Sequence, residues 1–163
     1  MAKIQVLTKS SRGKAICSKC GKEILSREKY LKATPFRRSP ITRCLLCGLK
    51  PYETSCSTYK KQVGKLIYDW KKTYGIYDGV VDDIISEVEN IKYDIESNLE
   101  NMPEQFQDYS VLQDRLDGLD DCLDILESID IDLNEEEDDE DYDYLVKKLE
   151  YEINNAIGCI RVL

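Results

Sequence analysis

Two Cys-x2-Cys pairs constrain this chain more than anything else in it: Cys17-Ser18-Lys19-Cys20 and, 23 residues further on, Cys44-Leu45-Leu46-Cys47. A glycine follows each pair, Gly21 and Gly48, where a tight knuckle often needs the positive φ that glycine tolerates. Two knuckles supplying two thiolates each form a tetrahedral site with metal–sulfur distances of about 2.3 Å, the pattern of structural zinc. The stretch between them is long enough for a β-hairpin that folds one knuckle onto the other. Four sulfurs leave no coordination position for water, so the expected role of Zn2+ here is to hold a module too small to bury its own core. Reduced thiols, or an iron–sulfur or redox pair, are the alternatives for the same spacing. Cys56 is a fifth sulfur just downstream. It is expected to pack near the site where the next helix begins, the alternative being a substitute ligand.

The chain contains no histidine, which excludes Ser–His and Cys–His catalysis, a His general base and any His metal ligand. No Gly-rich phosphate loop or nucleophile elbow is present either, so no enzyme activity is expected. Seven cysteines and a start, Met1-Ala2-Lys3-Ile4-Gln5, without a signal-peptide pattern argue against a disulfide framework and for a cytoplasmic location. No apolar run approaches the roughly 18 to 20 residues of a membrane span, and no membrane partner is expected.

The net charge of −9 conceals two opposite halves. Residues 1–75 hold 18 Lys and Arg against 4 acids, whereas residues 76–163 hold 5 against 28. Four thiolates around one zinc ion would take only about two units from the basic half. A basic half suits a polyanion such as nucleic acid, and an acidic half suits basic protein surfaces.

Residues 1–13 read as a short strand or a basic arm. Lys29 to Ala33 reads as a strand, with Ile41-Thr42-Arg43 returning antiparallel beyond a turn bracketed by Pro35 and Pro40. From Thr54 the period becomes helical. Tyr59, Val63, Leu66, Ile67, Trp70 and Tyr74 form one stripe, and Gly75 stops it. Val81, Ile84, Val88, Ile91, Ile95 and Met102 mark a second helix after Asp78. Ser110-Val111-Leu112-Gln113, with the form of a capping box, opens a third carrying Leu112, Leu116, Leu119, Leu123 and Leu126. Asp130 to Asp143 reads as an acidic connector, and Tyr142, Leu145, Leu149, Ile153, Ala156 and Ile160 mark a fourth helix. Trp70 is expected to anchor its helix to the zinc module, and Cys122 and Cys159 to be packed in the core.

From about Gly13 to Trp70 the chain resembles a zinc-finger module of uncharacterised tailed-phage proteins, often labelled a poly(ADP-ribose)-polymerase-type zinc finger. The residues that carry the likeness are Cys17-Ser18-Lys19-Cys20-Gly21, Glu28-Lys29-Tyr30, Arg37, Arg43-Cys44 with Cys47, Pro51 with Glu53-Thr54-Ser55, and Tyr59 and Tyr68. Such proteins also resemble this chain in having an acidic helical C-terminal region. It departs from authentic fingers of that type in having no His ligand. The resemblance implies a phage origin and a zinc module, and supplies no activity.

The expected fold is α+β: a small N-terminal four-Cys zinc ribbon or treble-clef-like module (1–54), a linking helix (55–77), and an acidic antiparallel helical bundle or coiled-coil region (78–163). Lys29, Lys32, Arg37, Arg38 and Arg43, interleaved with Tyr30 and Phe36, are the candidate nucleic-acid or polyanion contacts. Asp114, Asp117, Asp120, Asp121 and Asp124 are the candidate acidic face for a host or phage protein. The leading expectation is a non-enzymatic adaptor using both surfaces. The alternatives are a DNA-mimic inhibitor of a host nucleic-acid-binding protein, and an accessory protein that forms homo-oligomers through its helices.

Overall fold

The computed structural model describes residues 2–10, 14–72, 75–103, 110–131, 133 and 139–160. Its architecture is mixed α+β, with a three-stranded antiparallel sheet and four helices, and it divides into two compact units, Met1–Gly64 and Lys65–Leu163.

In the first unit β1 (Gln5–Thr8), β2 (Lys29–Ala33) and β3 (Ile41–Cys44) lie side by side in that order. Val6 pairs with Leu31 and Leu31 with Arg43; in the adjoining register Leu7 pairs with Tyr30 and Tyr30 with Cys44. The N-terminal stretch therefore supplies a strand, and the β2–β3 hairpin closes through a turn in which Arg38 N donates to Pro35 O at 3.2 Å. Strands this short do not support a stable sheet alone. The unit's buried apolar residues are few: Cys17, Ile24, Ala33, Leu49, Tyr59 and Val63. After β3 come a 3-10 turn, Pro51–Thr54, and α1, Thr58–Lys72.

The second unit contains α2 (Val80–Glu100), α3 (Ser110–Glu127) and α4 (Asp139–Cys159), with α3 packed against both α2 and α4. Its core is the set of helical stripes: Ile84, Val88, Ile91 and Ile95; Leu116, Leu119, Leu123 and Leu126; Leu149, Ile153, Ala156 and Ile160 are all buried. Each large side chain among them contributes about 1.5–3 kcal/mol by leaving water. Cys122 is fully buried beside this stripe, and burial, with Cys159 nearby, pushes its thiol up to about 12.

Two boundaries differ from the periodicity. Met102 falls beyond α2, which ends at Glu100; Met102 N turns back to Leu99 O at 3.0 Å just before Pro103. The fourth helix begins at Asp139, ahead of Tyr142, because carboxylates at a helix N-terminus are favoured by its dipole. Trp70 donates its indole N–H to Asn154 Oδ1 at 3.1 Å and so fastens the second half of α1 to α4. Tyr74, and residues 132 and 134–138 of the acidic connector, lie outside the described residues. Among the described residues no helix is long and apolar enough to cross a membrane.

Candidate metal centre

Cys17 and Cys20 sit on a loop whose ends are pinned by a short antiparallel bridge, Ile16 with Glu23. Within that loop Cys17 N donates to Lys22 O and Gly21 N to Cys17 O, both at 2.9 Å. Cys44 ends β3, and the second knuckle closes in the same way, Gly48 N donating to Cys44 O at 3.2 Å. Gly21 and Gly48 both adopt left-handed backbone, φ +72° and +62°, so the glycine after each pair is required by the turn.

The knuckles are tied to each other as well as to themselves. Ser18 N and Ser18 Oγ both donate to Thr42 O, at 2.9 and 2.7 Å, which holds the first knuckle against β3. Arg43, one residue before Cys44, donates to Ser18 Oγ and pairs with Glu53 at 3.5 Å. Glu53 in turn accepts from Lys50 N at 2.7 Å, which fixes the 3-10 turn that follows the second knuckle.

The result is a cluster in which the four sulfurs of Cys17, Cys20, Cys44 and Cys47 all lie within 4.8 Å of one another. Cys20 Sγ and Cys44 Sγ are 3.9 Å apart. A tetrahedron with metal–sulfur bonds of about 2.3 Å has edges of about 3.8 Å, so the spacing fits a metal ion.

The electrostatics fit one too. Burial acts upward on the Cys17 thiol, but backbone hydrogen bonds from Cys20, Cys44 and Lys19 outweigh it and hold the thiol at about 5. The Cys44 and Cys20 side chains, then burial, push Cys47 up to about 12. Four adjacent sulfurs do not all ionise without a compensating charge, and a divalent cation supplies it. Cys56 is outside this cluster. Its thiol donates to Phe36 O at 2.9 Å and its carbonyl accepts from Arg38 Nη2 at 2.8 Å, so it braces the β2–β3 turn.

No family model, curated protein or solved structure matches the chain. The site is therefore read from its own geometry.

The candidate polyanion residues do not share one face. Strand alternation puts Lys29 and Arg43 on one side of the sheet and Tyr30 and Lys32 on the other. Arg43 is largely buried and engaged by Ser18 and Glu53, which makes it a brace of the metal loops. Arg37 and Phe36 are exposed at the hairpin turn, with the guanidinium 5.0 Å from the ring centroid. Arg38 is exposed but spends one nitrogen on Cys56.

Of the candidate acidic residues, Asp117, Asp121 and Asp124 fall together on the arc of α3 opposite its buried stripe, with Asp114 and Asp120 at its edges. Asp117, Asp121 and Asp124 are exposed, with Asp117 accepting from Gln113 at 2.9 Å; Asp114 is half-buried. Asp120 is bound to Lys92 at 2.5 Å.

Proposed function

We propose that the chain is a non-enzymatic, cytosolic adaptor. Its N-terminal unit is a zinc-organised ribbon or treble-clef-like module that contacts nucleic acid through cationic groups around the β2–β3 turn. Its helical unit presents carboxylates to a protein partner. The observation that carries this reading is the closed four-sulfur cluster set in a strongly basic unit. A fully coordinated metal has no open position for catalysis, so its contribution is to present the chain around it. What it would present is the exposed turn, Arg37 and Arg38 with Phe36, flanked by Lys32 and Tyr30 on one side of the sheet and Lys29 on the other.

The test is twofold. Metal analysis of purified protein should find about one zinc per chain, absent from Cys17→Ser. Binding of labelled single- and double-stranded oligonucleotides should weaken steeply with salt, and further in Arg37→Ala/Arg38→Ala. Absence of binding at low salt rejects the nucleic-acid half of the reading.

A second reading, imitation of DNA, is supported by the α3 face. Asp117, Asp121 and Asp124 are exposed on a single helix, and neighbouring carboxylates there rise by about 4.5–6 Å along its axis. It requires a basic protein partner that free DNA displaces. A partner indifferent to added DNA rejects it.

A further inference from the structure

The second knuckle carries two leucines that the fold does not bury. Leu45 is 52% and Leu46 92% exposed, and both lie between Cys44 and Cys47. Their turn is already fixed by the Gly48 hydrogen bond and by the sulfur cluster, so docking them costs little ordering. Lys22 and Lys29 edge the same shallow depression. The acid among them, Glu28, accepts from Leu25 N at 2.8 Å and lies 4.0 Å from Lys22. The tip is an apolar knob whose rim, two lysines and one glutamate, keeps a net positive charge.

The helical unit offers the counterpart. A cavity of about 380 Å³ opens where the start of α2, the end of α3 and α4 meet. Val80, Leu126 and Leu149 form its buried floor, and Val81, Ile85 and Ile129 are half-exposed within it. Asp78, Asp82 and Glu127 also line it and are exposed, and among the described residues no lysine or arginine does.

We propose that Leu45 and Leu46 of one copy dock into this acid-rimmed cavity of a second copy, joining chains head to tail. The apolar parts match and the rims are opposite in charge, which favours this pairing over like-charged alternatives. Knob and cavity are different surfaces, so each added copy leaves one of each unfilled, and the contact is heterologous. It is small, hence weak and salt-sensitive. It rests on the metal-organised knuckle proposed above and shares Lys29 with the proposed nucleic-acid surface, so it is tested on protein freed of nucleic acid.

The test is sedimentation of zinc-loaded, nuclease-treated full-length protein from micromolar to millimolar concentration. The average mass should rise with concentration and fall as salt is raised. Leu46→Glu alone and Asp82→Lys/Glu127→Lys alone should each be monomeric. Mixed, the two should form a one-to-one pair, since the first retains the cavity and the second the knob. Zinc content and circular dichroism of each variant report its folding. A wild type monomeric throughout, assembly that survives in both variants, or a mixture that does not pair overturns the proposal. Pairing as described by protein that holds no metal would overturn the metal reading alone.

Discussion

Arg43 stands one residue from a metal-site cysteine with its side chain only 14% exposed, and its charge is spent on Glu53 and Ser18. From the sequence it counts among the basic groups available to a polyanion, because residue type does not reveal an internal partner. A hint exists: Glu53 is the only acid between Glu28 and Asp69, and an isolated acid in a basic stretch is a candidate for such pairing. Arg43→Ala should cost about 2 kcal/mol, the worth of hydrogen bonds to charged groups, measured by denaturant unfolding. It should also weaken metal binding by about 10- to 100-fold, as loss of support behind a ligand does, read by competition with a chromophoric chelator. Arg37→Ala should change neither. Lys92 is raised above its ordinary 10.5, first by its hydrogen bond to Asp120, with burial opposing and the Asp120 charge adding. A base raised on folding contributes stability that is complete below about 10.5 and is lost as pH rises through the folded value. The ammonium is 30% exposed, so the loss should stay under about 1 kcal/mol. Unfolding midpoints compared at neutral and strongly alkaline pH should show it in the wild type and not in Asp120→Asn.

The two cysteine knuckles and the helices could be read from the chain because each is written in local spacing. Gly21 and Gly48 follow their cysteine pairs because the knuckle needs a left-handed residue there, and a Cβ at either would meet nothing within 4 Å. Gly48→Ala should therefore cost only the backbone term, about 1 kcal/mol, without displacing neighbours; thermal unfolding of the metal-loaded protein checks it. The stripes of α2, α3 and α4 were legible for the same reason, since a 3.6-residue period states which face is covered. Ile153, at 0% exposure, should cost about 2–5 kcal/mol when cut to alanine, measured by the denaturant midpoint. What spacing could not give was tertiary. The sheet register separates Lys29 from Lys32, Trp70 reaches Asn154 on α4, and the apolar cavity gathers residues from three helices far apart in sequence.

At the scale of the molecule, the two units are held by different means. The first has few buried side chains and four clustered sulfurs; the second has three stripes of aliphatic core. Chelation should therefore dismantle the first while leaving most of the helical signal of the second, since a metal bound only by the native state stabilises only what folds around it. Circular dichroism with and without a strong zinc chelator checks this. Loss of all helical signal would show the units to be one cooperative system.

Of the four clustered cysteines, Cys20 alone is exposed, while Cys17 is buried and the other two lie between. An electrophile or peroxide arriving from solvent meets that residue first. Were a metal ion held there, oxidation of Cys20 would take away one of its four sulfur ligands, so the basic unit would be open to loosening by oxidants as well as by heat.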